Sequence, residues 1–335
     1  MLRKVSWIFW SGEERRVRAL VRLVAQMLLY LAVHIPLALL IGYLAMLAGD
    51  LPGDQLSMDA LISMAAGRPV YGAVFILAQV LAAVLSVWAA TRFLDRRPFR
   101  SLGFRLNGRW WLDYAFGLFT GAAVAAGVFL AELAAGWIEL VETCWTAEAG
   151  ASFASLTGVA LLAMIAVGFW EEMVGRGYQI RNLAEGLNLP ALGARGAIAV
   201  ACAGTSLLFG FGHAFNPHAS LISSLSIVAF GLLFAGAYVL TGQLGISMGM
   251  HTGWNFFTGS VFGFAVSGRE SHASLIAISQ QGPERWTGGA FGPEAGLVSL
   301  AACLLAGALV VGWVRLVHGQ LRVETSLASL LSDRT

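Results

Sequence analysis

The chain has 335 residues, of which 58% are hydrophobic and 12% are charged, and its formal net charge is +2. Because soluble domains carry about 25% charged residues, this composition excludes an ordinary soluble protein. It predicts an all-α, polytopic membrane protein whose helices form a bundle in lipid. No basic patch with interleaved aromatic residues occurs, so we expect no nucleic-acid partner.

The N-terminal segment, residues 1–22, carries six lysine and arginine residues together with Trp7 and Trp10. This pattern predicts a basic amphipathic helix at the membrane interface. Apolar runs then predict a membrane domain of eight spans over residues 23–318, followed by a cytoplasmic tail over residues 319–335. The spans are expected at about 23–48, 69–91, 111–138, 152–177, from 195 into the LLFGFGHAFNP segment, two within 219–268, and 294–314.

The segments between these spans are predicted to be loops. Residues 49–68 are polar and mildly acidic, residues 139–148 carry three glutamates without lysine or arginine, and residues 267–293 are rich in glycine. Glu132, near the end of the third span, is a buried carboxylate in the predicted bundle. Because it is distant from the other motifs, we favour a structural hydrogen bond for it over a functional role.

Lysine and arginine residues indicate the orientation of the spans, since cytoplasmic loops are enriched in both. With eight spans, 18 of the 21 such residues fall on one side, which predicts that both termini are cytoplasmic. Asp54, Glu142 and Arg285 should then face outside, while Arg97 and Arg181 face the cytoplasm. We expect an integral protein of a bacterial inner membrane, with membrane lipids as its surroundings.

The most informative stretch is GFWEEMVGRGYQIRN, residues 168–182, which follows an uncharged run over residues 149–170. Ionisable groups at such a depth are costly and are usually functional. Glu172 and Arg176 are four residues apart and can form an ion pair on one helix face. Glu171 lies roughly 100° round the helix and has no such partner, so it is free for chemistry. The alternative is that all three residues only cap a helix at the membrane surface.

Four groups could converge with this stretch into one site. His251 and Asn255 share a helix face by their spacing, and Phe209 can pack its ring on His213 in the same way. A carboxylate and a histidine can hold and deprotonate a water molecule, while a second histidine and an amide can stabilise an oxyanion. Glu171, His213 and His251 could instead bind a divalent metal such as zinc with one position open. The sequence leaves these two alternatives open.

These residues also form three motifs. EEMVGR at residues 171–176 fits EExxxR, FGFGH at 209–213 fits FxxxH, and HTGWN at 251–255 fits HxxxN. In this order, and over residues 90–265 with the RSLGF stretch, the chain resembles the CPBP intramembrane protease family, which includes the type II CAAX prenyl endopeptidases. One departure is Gly175, where members often have an aromatic residue.

The resemblance implies a role for each motif residue. Glu171 and His213 would activate water, and His251 and Asn255 would stabilise the oxyanion. The remaining motif residues would support the site; they are Glu172, Arg176 and Phe209.

Three functions are compatible with the sequence. The first is a hydrolase, an intramembrane endopeptidase that cleaves a peptide or a single-span protein near the cytoplasmic face. The second is a catalytically silent relative that acts as a membrane scaffold or immunity-type factor, and the third is a proton-coupled transporter. Transporters usually contain repeated halves with broken helices, and we find no internal repeat. A scaffold has no need for all four polar groups, which favours the endopeptidase.

Overall fold

A computed structural model of the chain describes residues 10–11, 16–51 and 57–329. Seven helices within these residues are long and apolar enough to cross a membrane. The predicted fold class, an all-α polytopic bundle, is therefore confirmed, and the protein is an integral membrane protein. The chain divides into two compact units, one comprising the described residues up to Ser101 together with Ser329, and the other Leu102–Ala328.

The first unit contains two short strands and three helices. These are β1 (Trp10–Ser11), which pairs antiparallel with β2 (Arg16–Val17), followed by α1 (Ala19–Leu47), α2 (Met58–Gly67) and α3 (Pro69–Ala89). Most of the predicted interfacial segment, residues 1–22, lies outside the described residues; in its described part, residues 10–11 and 16–17 form these strands and residues 19–22 begin α1. The predicted loop over residues 49–68 contains α2, which begins at an N-cap where the Ser57 hydroxyl accepts the Ala60 N–H.

The second unit holds all the motif residues. Its elements are α4 (Gly108–Ala134), β3 (Ile138–Thr146), α5 (Phe153–Glu172), α6 (Arg181–Leu187), α7 (Gly193–Gly212), α8 (Leu221–Thr241), α9 (Gly245–Phe256), β4 (Ala273–Gln280), α10 (Glu284–Thr287) and α11 (Leu297–Trp313). A π-helical turn, Met173–Ile180, joins α5 to α6, so that Phe153–Leu187 is one helical run of 35 residues.

The helix α9 differs from the prediction. It was expected to be one of eight spans, but its 12 α-helical residues, which continue as the π-helical segment Phe257–Val261, are not among the seven helices that satisfy the length and hydropathy of a span. Every residue from Gly245 to Asn255 is buried. Because its backbone and side chains are surrounded by protein rather than by lipid, α9 does not need the length or the apolarity of a span.

A glycine seam, formed by glycines of α4 and α9, holds these two helices at backbone distance. A Cβ atom on Gly249 would collide with the carbonyl oxygen of Tyr114, and one on Gly253 would collide with that of Leu118. On α4, a Cβ atom on Gly121 would likewise collide with the backbone of α9. Small residues permit such close approach of helices within membranes. The glycine seam therefore fixes the position of the helix that carries His251 and Asn255.

Two segments predicted as loops form a β-ribbon instead. Strands β3 and β4 pair antiparallel from Ile138 opposite Gln280 to Thr146 opposite Ala273. The two strands are short, and 126 residues separate Thr146 from Ala273 in the sequence. Their pairing could therefore not be predicted from local sequence patterns. Gln280 Nε2 also donates to Glu132 Oε2 at 3.2 Å, which confirms the structural hydrogen bond expected for Glu132.

The described part of the predicted tail is attached to the bundle. Leu327 and Ala328 are each only 1% exposed, and Asn188 Nδ2 donates to the carbonyl oxygen of Ala328 at 3.0 Å. Glu324 N–H donates to the carbonyl oxygen of Val239 at 2.8 Å. The chain after α11 therefore returns to pack against the helices of its own unit.

The orientation across the membrane remains a prediction, and the native cysteines can test it. Of the three cysteines only Cys144, on β3, is exposed, and the charge distribution puts that ribbon outside. An impermeant thiol reagent should therefore label wild-type protein in intact cells, and Cys144→Ser should abolish the labelling. Arg105 is exposed in the arginine-rich segment expected in the cytoplasm, so Cys144→Ser/Arg105→Cys should be labelled only after permeabilisation.

Labelling of position 105 in intact cells would reverse the orientation. Of the positions named in the sequence analysis, Arg97 and Arg181 are each only 3% exposed and are poor labelling sites, while Asp54 lies outside the described residues.

Candidate active site

Glu171, Glu172 and Arg176 lie in the middle of one helical run. The run passes from α5 into the π-helical turn Met173–Ile180 directly after the two glutamates, and such turns are frequent at functional sites. The Glu172 side chain is fully buried, and its Oε1 accepts a hydrogen bond from Arg176 Nη1 at 2.9 Å. The predicted ion pair between Glu172 and Arg176 is therefore confirmed.

His251 lies between the two glutamates. Its Nδ1 is 3.0 Å from Glu172 Oε1, and its Nε2 is 3.8 Å from Glu171 Oε2. An ionised carboxylate can only accept hydrogen bonds, so Nδ1 donates to Glu172 and, in a neutral ring, the Nε2 lone pair faces Glu171. Glu172 thus holds both Arg176 and His251, whereas the sequence assigned it only the arginine.

Each glutamate has one buried oxygen, its Oε2, without a hydrogen-bond partner among the described residues. Glu172 is fully enclosed, but the Glu171 side chain keeps 16% of its surface exposed. Buried polar atoms are normally satisfied by protein or by ordered water. Of the two glutamates, Glu171 is therefore the one whose side chain a polar guest can reach.

Two phenylalanine rings enclose His251 and Arg176. Phe234 stacks on the imidazole with centroids 5.0 Å apart, and Phe209 meets the same imidazole edge-on at 6.0 Å. The Arg176 guanidinium lies 4.3 Å from the centroid of Phe209 and 5.3 Å from that of Phe234. Its Nη2 also donates to the carbonyl oxygen of Gly231 at 3.3 Å. Cation–π contacts of this kind are strongest when desolvated, so the rings help to hold a charge in the bundle.

His213 lies at the C-terminal end of α7, with its Nδ1 2.7 Å from the carbonyl oxygen of Phe209. Because the carbonyl accepts, Nδ1 donates, and Nε2 of a neutral ring remains an acceptor. The His213 and Phe209 rings meet edge-on at 4.8 Å, as their spacing predicts. Since Phe209 also contacts His251, one phenyl ring connects the two histidines.

Asn255 lies one helical turn beyond His251 on α9 and is 8% exposed. Residues at this spacing occupy the same helix face. The structure thus joins Glu171, Glu172, Arg176 and His251 by direct contacts and connects His213 to them through Phe209. Asn255 remains one turn from His251 on the shared face.

The alternative of a zinc site was tested on the same geometry. Within the part of the chain that the structure describes, no group of three or more His, Cys, Asp or Glu side chains is arranged to hold a metal ion. Glu171, His213 and His251 therefore do not form the ligand set considered from the sequence. We assign no step of the reaction to a metal.

Phe234 and Gly231 are site residues that sequence reasoning missed. Both lie on α8, and a helix that is apolar all round does not reveal which face meets the site. The available signal is their spacing of three residues, which places them on one face. That signal becomes informative only when the position of Arg176 is known.

Residues 153–257 match a family described as Rce1-like, type II CAAX prenyl endopeptidase Rce1-like. The match begins at the first residue of α5 and ends one residue beyond α9, so it contains both glutamates, both histidines and Asn255. This segment of the chain is similar to the Rce1-like family. No curated protein and no solved structure matches the chain. The Rce1-like match confirms the predicted family resemblance and supports a membrane protease as the general function.

Proposed function

We propose that this protein is an intramembrane endopeptidase that hydrolyses a peptide bond near the cytoplasmic membrane face with water as the nucleophile. One observation carries the proposal. Glu171 Oε2 is a buried acceptor without a hydrogen-bond partner in the described residues, and it lies 3.8 Å from His251 Nε2. A carboxylate with one desolvated oxygen, on a side chain that remains 16% exposed, is suited to accept a proton from water.

Glu171 and His213 act on the water in this mechanism. The Glu171 carboxylate takes one proton as the water oxygen attacks the scissile carbonyl carbon, and His213 Nε2 accepts a hydrogen bond from the same water. The Nδ1 of His213 donates to the carbonyl oxygen of Phe209 at 2.7 Å, which supports the neutral tautomer with its proton on Nδ1 and a free acceptor at Nε2. The tetrahedral intermediate then collapses, and the proton passes from Glu171 to the leaving amine nitrogen.

His251 and Asn255 act on the carbonyl oxygen. The Asn255 amide donates one hydrogen bond to the developing oxyanion, and His251 Nε2 donates the other. Because Nδ1 already donates to Glu172 at 3.0 Å, His251 must be an imidazolium to donate from both nitrogens. Glu172 on one side and Glu171 on the other provide the negative charges that make this imidazolium acceptable in the bundle.

The substrate class can be tested directly with the purified protein in liposomes. We propose a peptide that carries a prenyl group on a cysteine near its C-terminus, with residues after that cysteine that cleavage releases, in keeping with the Rce1-like match. The assay compares this peptide with the same peptide lacking the lipid and with a single-span protein, and detects cleavage by mass spectrometry. Wild type should cleave the prenylated peptide fastest.

Cleavage of the single-span protein alone would keep the endopeptidase but reject the prenylated substrate. If folded wild type cleaves none of the three, the endopeptidase is rejected in favour of a non-catalytic membrane scaffold.

A further inference from the structure

A chain of hydrogen bonds joins the segments that follow the two histidines. Asn216, three residues after His213, donates from Nδ2 to the carbonyl oxygen of Ser267 at 3.0 Å. The N–H and hydroxyl of Ser267 donate to Glu294 Oε2 at 2.6 and 2.7 Å. Glu294 Oε1 accepts from Trp254 Nε1 at 3.0 Å. We call this chain, Asn216–Ser267–Glu294–Trp254, the Glu294 bridge.

The central carboxylate of the Glu294 bridge is buried, and two features of the bridge cost free energy of folding. Glu294 is 6% exposed, and burying a carboxylate is expensive unless its oxygens are hydrogen-bonded, as both are here. Ser267 has φ of 50°, a left-handed conformation that is uncommon for residues other than glycine. A Cβ atom on Gly268 would collide with the carbonyl oxygen of Pro217, so the two segments are in backbone contact. Strained, closely packed backbone of this kind is concentrated at functional sites.

The two ends of the Glu294 bridge are the segments that carry the proposed catalytic groups. Trp254 is three residues after His251 and directly precedes Asn255, so holding its indole ring fixes the rotation of α9. Asn216 closes the short 3₁₀ turn that begins at His213. The Glu294 carboxylate is the part that connects them, because it accepts hydrogen bonds from both sides.

We propose that Glu294 is a positioning residue that sets the distance and orientation between His213 and the His251–Asn255 face. The inference rests on the proposed function, because it concerns how that site is held. Active groups must be held within about 0.5 Å of the productive geometry. A displacement of about 1 Å can cost up to ~10²-fold in rate.

The first test removes single hydrogen bonds of the bridge. Trp254→Phe keeps an aromatic ring but loses the indole N–H, and Asn216→Ala removes the opposite end. Each should lower kcat by about 10-fold or more with little change in KM, because substrate still binds while the reacting groups are misplaced. The matched control is Trp313→Phe, which loses an indole N–H donated to the buried Asp113 at 2.8 Å. It should keep wild-type kcat with a similar change in Tm.

The second test asks whether the two ends act through one connection. In Trp254→Phe/Asn216→Ala, the loss of kcat should be close to that of either single variant, because the bridge is already broken. Losses that multiply, or a kcat for Trp254→Phe no lower than that of Trp313→Phe, would overturn the proposal. Asn216 is only half-buried, so Asn216→Ala gives a result even if Trp254→Phe does not fold.

The third test does not depend on cleavage and therefore separates this inference from the proposed function. Side-chain ¹⁵N resonances of His213 and His251, recorded on the full-length protein in detergent, should shift in Trp254→Phe and in Asn216→Ala. They should remain at wild-type positions in Trp313→Phe. If the resonances shift but the wild-type protein cleaves no substrate, the endopeptidase is rejected and the positioning role of Glu294 is retained. If the resonances are unchanged in both bridge variants, the positioning role of Glu294 is rejected.

Discussion

Glu171→Gln is expected to lower the peptide-cleavage rate by at least ~10²-fold, the low end for a lost general base. The substitution is nearly isosteric, and it replaces a carboxylate whose Oε2 is buried without a hydrogen-bond partner among the described residues. Removing a desolvated charge relieves a cost of folding, and Glu172 at 3.0 Å still balances a charge on His251, so Tm should remain unchanged or rise slightly. Tm and cleavage rate are measured on the same preparation in the same detergent.

The matched control for Glu171→Gln is Glu132→Gln. Glu132 is a fully buried glutamate of the second unit whose partner is Gln280 of the β-ribbon, and it touches no motif residue in the described contacts. Glu132→Gln should retain the wild-type cleavage rate. A wild-type rate for Glu171→Gln would remove the general base from the proposed mechanism.

Glu172→Ala is expected to lower both the folded yield and the activity. Its Oε1 is the shared acceptor for Arg176 at 2.9 Å and His251 at 3.0 Å. Removal leaves a buried guanidinium without its carboxylate, and breaking one side of a buried ion pair costs about 3–5 kcal/mol. The same change releases His251 Nδ1, so the ring loses the contact that orients it. A fall in Tm together with a loss of cleavage would support both roles.

Glu172→Gln separates these two effects. The amide oxygen can still accept from Arg176, so Tm should fall less than in Glu172→Ala, while the neutral group no longer balances a charged His251. The cleavage rate of Glu172→Gln should therefore fall by more than its small decrease in Tm would explain. If Glu172→Gln abolished cleavage without loss of Tm while Glu171→Gln kept the wild-type rate, the two glutamates would have the opposite roles.

Local spacing predicted two of the contacts of the site. The Glu172–Arg176 pair and the Phe209–His213 packing both follow from a separation of four residues on a helix, and both are present. Hydropathy likewise predicted the all-α membrane bundle, because long apolar runs have few alternatives in lipid.

Contacts between distant segments could not be predicted in this way. The hydrogen bond of Glu172 to His251 joins residues 79 apart, and that of Trp254 to Glu294 joins residues 40 apart. The β-ribbon was missed for the same reason, since its strands lie on either side of five helices. Hydropathy also could not show that α9, one of the eight expected spans, is surrounded by protein and lies outside the seven helices with the length and apolarity of a span.

The glycine seam between α4 and α9 also constrains how a substrate reaches the site. Gly249 and Gly253 face α4, and at about 100° per residue His251 and Asn255 are each turned roughly 200° from the glycine two positions before them. With backbone atoms in contact along the seam, a peptide cannot pass between α4 and α9. On the proposed function, we expect entry from the opposite flank, where α5, α7 and α8 supply Glu171, Phe209 and Phe234. The packing of α4 against α9 that positions His251 therefore also closes this side of α9 to a substrate.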